Sequence, residues 1–243
     1  MTYAVAVKLE RGIVFAADTR TNAGVDNIAQ YKKLTRWCIP GERVLVLLSA
    51  GNLAVSQAVL SLLNEALNDK EYPGTTLYSA QNMYRAARVV GEALREARAI
   101  DGPSLEVSKL SFSTSFIFGG QIGDEPPRLF HIYPEGNFIE ATGDTPFFQI
   151  GEHKYGKPIL DRVARADMRL GEAAKLLLLS FDSTLRSNLS VGMPLDILFY
   201  ERNSLDVTRE KRIGADDEYF RKLSASWSEA LRESFAKIDE FKV

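Results

Sequence analysis

Thr2-Tyr3-Ala4-Val5-Ala6-Val7 and Ile13-Val14-Phe15-Ala16-Ala17, on either side of the turn Glu10-Arg11-Gly12, are the stretch from which the fold can be read. Both arms are short, apolar and rich in β-branched residues, and a glycine closes the turn, so they predict an antiparallel hairpin. Returning strands bring the end of the second arm, Ala16-Ala17-Asp18-Thr19-Arg20, back beside the start of the first. The hydroxyl of Thr2 and the carboxylate of Asp18 are therefore expected at one end of one sheet.

Beyond this hairpin a polar connection runs from Asp18 to Gln30, and Tyr31-Lys32-Lys33-Leu34-Thr35-Arg36-Trp37 reads as a third strand. Pro40-Gly41 turns the chain into Arg43-Val44-Leu45-Val46-Leu47-Leu48-Ser49, apolar on both faces as in a buried sheet. After Gly51-Asn52 the apolar period changes from two to 3.6 through Leu53, Val55, Val59, Leu63 and Leu67, and a second helix is expected from about residue 78 to 100. Strands return near 110–120, 129–133 and 137–141, followed by helices near 154–166 and 171–187. A hairpin at 195–201 and 205–212 and an amphipathic helix over 216–239 close the chain. Runs of strands alternating with pairs of helices predict an α+β architecture of packed sheets with helices outside. With no repeat, low-complexity tract or linker, one domain is expected over residues 1–243, its C-terminal hairpin and helix starting at about 195.

Composition narrows the function classes. The chain has 243 residues, with 30 Lys plus Arg against 32 Asp plus Glu, so its net charge is −2. That balance leaves no basic footprint for nucleic acid or an anionic membrane. One cysteine, Cys38, excludes an internal disulfide, and two histidines, His131 and His153, make a zinc cage improbable. No apolar run approaches the ~18 residues that span a bilayer. The start, Met1-Thr2-Tyr3, lacks a basic-then-apolar export signal, so a cytoplasmic protein is expected. Nothing in the sequence asks for a metal or an organic cofactor, and Gly119-Gly120 is too short for a phosphate loop.

The chemistry centres on residue 2. Removal of Met1 would expose a threonine whose hydroxyl and free amine sit on neighbouring carbons. An α-amine with a pKa of roughly 7.7–8.0 is partly neutral at physiological pH and can take the hydroxyl proton. Asp18 faces Thr2 across the hairpin, and a lysine on the third strand paired with it would orient the threonine. Side chains alternate along a strand, so only one of Lys32 and Lys33 can point there.

Taken together, Thr2 opening a strand, Ala17-Asp18-Thr19-Arg20, Lys32-Lys33-Leu34 and the turn Ser49-Ala50-Gly51-Asn52 resemble the proteasome-type β-subunits, which are N-terminal nucleophile hydrolases. Further stretches are similar to Anbu, the bacterial ancestral β-subunits: 18–27, 47–54, Gly151-Glu152-His153-Lys154-Tyr155-Gly156-Lys157-Pro158 and Arg186-Ser187-Asn188-Leu189-Ser190-Val191-Gly192. The resemblance covers essentially the whole chain.

It implies a four-layer αββα sandwich and a threonine-type peptidase or amide hydrolase in which Thr2 is the nucleophile, Lys33 tunes it and Asp18 balances Lys33. Lys33 is chosen because the family's lysine directly precedes an apolar residue, here Leu34. Arg20 would brace the connection. Backbone groups near Asn22, Leu48 and Ala50 would line an extended substrate, with an N–H around Leu48 as the oxyanion hole. Thr21, Tyr31, Thr35 and Val46 would border the side-chain pocket.

Two places depart from the proteasome pattern. Glu152 stands where a serine is expected, and Asn188 and Val191 replace an Asp-and-Ser pair ahead of Gly192, which makes Glu152 and Asn188 the supporting residues. The resemblance further implies an open, lock-washer-like homo-oligomer and a peptide or modified-peptide substrate. It also implies operon-encoded transglutaminase-like, ATP-grasp-like and α-helical partners. A non-catalytic scaffold, and an amidase or transferase acting on small amides, are the alternatives.

Overall fold

The computed structural model describes residues 2–22, 28–207 and 209–242, with Asn22 and Ile28 described by their backbone alone. The N-terminal hairpin is formed by β1 (Tyr3–Leu9) and β2 (Gly12–Asp18), with Ala4 opposite Ala17 and Leu9 opposite Gly12. Numbering runs in chain order. A short two-stranded ribbon follows, β3 (Arg20–Asn22) against β4 (Ile28–Gln30). The second sheet then opens with β5 (Leu34–Ile39) and β6 (Arg43–Gly51). Helices α1 (Leu53–Asn68) and α2 (Met83–Val107) lead to β7 (Thr114–Ile122), β8 (Arg128–Ile132) and β9 (Phe138–Glu140). Next, β10 (Phe147–Gly151) returns to the first sheet, and α3 (Lys157–Val163) and α4 (Leu170–Ser187) cover it. The chain ends in β11 (Leu195–Glu201), β12 (Arg209–Ile213) and α5 (Glu218–Ala236).

The strands form two antiparallel five-stranded sheets, ordered β10-β1-β2-β11-β12 and β5-β6-β7-β8-β9. Period-two alternation decides what each face buries. Ala4, Ala6, Ile13, Phe15 and Ala17 meet Leu34, Val44, Val46, Leu48 and Ile117 between the sheets. The opposite face of β1 and β2 places Tyr3, Val5, Val14 and Ala16 against Leu160, Leu177 and Phe181 of α3 and α4. Leu45, Leu47, Phe116 and Phe118 pack instead on Val55 and Val59 of α1 and Val90 and Leu94 of α2. The layers are therefore helix, sheet, sheet, helix.

Several boundaries differ from the sequence reading. The third strand begins at Leu34, so Lys33 lies just before it and not inside it. The polar connection hides the β3–β4 ribbon. α2 starts at Met83, where the Asn82 side chain accepts from the Arg85 N–H, and it runs on through Pro103 to Val107. Residues 110–113 are accordingly not strand. β10 was missed because Phe147-Phe148-Gln149-Ile150-Gly151 has neither strict alternation nor β-branched enrichment; pairing of Tyr3 with Gly151 and Val7 with Phe147 along the edge of β1 makes it a strand. Among the described residues no helix is long and apolar enough to cross a membrane.

Candidate active site

Thr2 is held from both sides by backbone. Its carbonyl accepts from the Glu152 N–H at 2.7 Å, just past the end of β10. Gly151 adopts φ +81°, and a Cβ there would lie 2.1 Å from the Thr2 carbonyl oxygen, so glycine is required where the two chains close. On the other side the Tyr3 N–H donates to Asp18 Oδ1 at 3.0 Å. Asp18 ends β2 with no exposed surface. The hairpin thus fixes the nucleophile candidate relative to the carboxylate through residue 3.

Asp18 Oδ1 also accepts from Lys33 Nζ at 2.8 Å, and Oδ2 from the Gly192 N–H at 3.3 Å. Lys33 Nζ donates in addition to the Arg20 carbonyl at 2.5 Å, which leaves its third N–H without a partner among the described residues. Burial drives the Asp18 carboxyl above its ordinary range, against the pull of the Lys33 charge and of its N–H donors. Burial also lowers the Lys33 ammonium, against the opposing pull of Asp18. A lysine so placed gives up its proton more readily than one in water.

Around this pair the loop 188–192 is braced twice. Arg20 Nη1 donates to the Leu189 carbonyl at 3.0 Å, and its guanidinium lies so close over Gly192 that a Cβ there would meet Nε at 2.1 Å. Asn188 Nδ2 donates to Glu152 Oε2 at 2.5 Å, while Glu152 Oε1 accepts from the N–H groups of His153 and Lys154 at 2.9 and 2.8 Å. Desolvation alone would raise the Glu152 carboxyl; the Lys154 N–H, the Asn188 amide and the His153 N–H outweigh it and hold the group below its ordinary range. Glu152 is thus an ionised, structured carboxylate next to residue 2.

A cleft of about 520 Å³ opens over these groups. Thr2, Thr21, Lys33, Ser49, Ala50, Gly51, Leu53, Ser56 and Gly151 are among its walls. Of the residues expected to contact substrate, Thr21 and Ala50 lie here. Val46 and Leu48 do not: alternation along β6 turns both side chains into the layer between the sheets. Tyr31 is exposed and Thr35 half-buried, and neither lines the cleft. The Asn22 side chain and residues 23–27 of the similar stretch lie outside the described residues, as does Met1.

Ser49, Gly51, Leu53 and Ser56 were missed. The Ser49 N–H donates to the Lys33 carbonyl at 3.0 Å, and the Asn52 N–H to the Ser113 carbonyl on the opposite flank, also at 3.0 Å. N–H groups alternate along a strand, so that of Gly51 points to the β5 side, past the point where β5 has ended, and into the cleft. The Leu48 N–H, by the same alternation, faces its partner Ile117 on β7. Alternation separates these two cases, and the end of β5 leaves the Gly51 N–H without the partner that Ser49 has in Lys33. Among the described residues no group of three or more His, Cys, Asp or Glu side chains is placed to hold a metal ion.

Comparison with known proteins finds relatives that match along most of the chain. The profile of the family described as proteasome subunit matches residues 2–197. The chain is 74% identical to Anbu from a Hyphomicrobium species, whose structure covers 99% of this chain and 100% of its own with a TM-score of 0.93. It is 48% identical to the Pseudomonas aeruginosa chain solved as a helical assembly of the Anbu complex, with coverages of 99% and 98% and a TM-score of 0.93. Proteasome subunit beta 2 of Pyrobaculum calidifontis is 25% identical over 201 residues, 82% of this chain and 89% of that one.

Proposed function

This chain belongs to the proteasome-subunit family, on its Anbu branch, and from that premise we propose that it is an amide hydrolase with Thr2 as its nucleophile. The observation that carries the reading is the buried Asp18–Lys33 pair opening, through the unused N–H of Lys33, onto the cleft that also holds Thr2. Once Met1 is removed, the Thr2 hydroxyl attacks a peptide or amide carbonyl and its proton passes to the freed α-amine, with Lys33 stabilising the alkoxide as it forms. The Gly51 N–H receives the developing oxyanion. Collapse of the tetrahedral intermediate returns the proton to the leaving amine and leaves an ester on Thr2. Water, deprotonated by the same amine, then hydrolyses that ester.

Arg20, Gly192, Glu152 and Asn188 are positioning residues in this scheme, acting through Asp18 and the Thr2 backbone. The whole chain is proposed to work as a single domain. It self-assembles as the P. aeruginosa relative does, through a surface that includes the exposed Leu231 and Phe235 of α5. The test is chemical: an epoxyketone directed at N-terminal threonine should add once to the chain lacking Met1 and not to its Lys33→Ala variant. A processed chain that takes no adduct would favour the scaffold reading.

A further inference from the structure

Hydroxyl groups without partners wall the side-chain pocket next to Thr2. Leu45 and Leu47 face the α1–α2 layer while Val46, Leu48 and Ala50 face the other sheet, so alternation puts the Ser49 side chain on the α1 side. There it stands with Leu53 and Ser56. Ser49 is 8% exposed and its hydroxyl makes no hydrogen bond among the described residues; the hydroxyl of Thr21, which also lines the cleft, makes none either. Ser56 Oγ already gives its proton to the Asn52 carbonyl at 2.9 Å.

The pocket is also electrically closed. Among the described residues Lys33 is the only charged side chain on its wall, and it is tied to Asp18. The N-terminus of α1 is capped: Asn52 Oδ1 accepts from the N–H groups of Ala54 and Val55, and the Asn52 carbonyl from that of Ser56. Among the described residues of the wall, an entering carboxylate meets only an ammonium whose charge Asp18 already balances, and an entering ammonium meets no carboxylate. An aliphatic side chain strips water from the two hydroxyls and returns nothing to them.

We infer that this pocket takes the side chain of the residue whose carbonyl Thr2 attacks and selects one that is uncharged with both donor and acceptor, a carboxamide, with Ser49 as the residue that reads it. The inference rests on the proposed role of Thr2 for the orientation of the substrate. A carboxamide offers its N–H to one hydroxyl and its oxygen to the other, while its methylenes lie on Leu53.

Binding separates this inference from catalysis. Calorimetry on the full chain carrying Thr2→Ala would compare acetylated tripeptide amides that differ only in a last residue of Gln, Glu, norleucine or Lys. Gln should bind about tenfold tighter than norleucine, with Glu and Lys weaker still. Ser49→Ala should bring Gln within about twofold of norleucine, and Ser49→Thr, which keeps the hydroxyl, should restore the preference. Norleucine equal to Gln, Glu or Lys in front, a preference that survives Ser49→Ala, or no binding of any of the four overturns the inference. Failure of the Thr2 reading looks different: no covalent adduct on the natural chain, with the Gln preference intact.

Discussion

Asp18 and Lys33 form a pair that neither partner survives alone. Asp18→Asn leaves a buried ammonium without its counter-charge, a change expected to cost about 3–5 kcal/mol, to be read from urea unfolding. Asp18→Asn with Lys33→Met removes both charges and should recover most of that stability while Thr2 stays unreactive. Recovery of stability and reactivity together would deny the pair its chemical role. Glu152 gives the pH signature. Its folded carboxyl titrates below the ordinary 4.5, so its contribution to stability is complete above that value and is lost as pH falls through the folded value. Glu152→Gln should therefore lower stability by ~1 kcal/mol at pH 7, with the two unfolding curves converging in acid. A difference that persisted unchanged at low pH would rule out linkage through this carboxyl. The closeness of Thr2 and Asp18 was legible in the sequence because a hairpin of known turn brings fixed positions together, whereas Lys33 was chosen over Lys32 from the family resemblance alone. Ser49 and Gly51 were not legible, because alternation gives their direction but only the end of β5 opens a cleft beside them.

At the scale of elements, close approach overrides local preference. Gly91 lies inside α2, where alanine is the better helix former by roughly 1 kcal/mol. A Cβ at 91, however, would stand 2.2 Å from the carbonyl oxygen of Gly136, itself at φ +77° in the turn between β8 and β9. Gly91→Ala should thus destabilise the fold by about 1–3 kcal/mol, the reverse of its propensity, as a lowered thermal midpoint would report. A raised midpoint would mean that the turn yields without cost. The same contrast explains which elements could be foreseen. β1, β2 and β6 announce themselves by composition, and α1 by its period. β10 and the β3–β4 ribbon are strands because a partner edge is available, and Gln149 or Thr21 has no local feature that says so. α2 passes through Pro103, where sequence alone argues for an end.

Over the whole molecule, the C-terminal end of the chain is too apolar for a finished surface. Leu231 and Phe235, one turn apart on α5, are 51% and 80% exposed, and Ile238 and Phe241 beyond its end are 72% and 90% exposed. Such a surface fits contact with another copy of the chain. Light scattering should find the natural protein as an oligomer, and Phe235→Asp should shift it toward smaller species with the fold unchanged by circular dichroism. An unaltered mass would move the interface elsewhere. The four layers were implied by the family resemblance and are realised by three apolar faces, each visible as a run of alternating or 3.6-spaced residues. What the outer layer touches is written in no single element.

The central claim is that Thr2 is a competent nucleophile, and intact mass before and after treatment with an epoxyketone tests it most directly. The account predicts loss of Met1 and a single adduct mapped to Thr2, abolished by Lys33→Ala. A chain with Met1 removed, folded and assembled, whose Thr2 remains unmodified would contradict it.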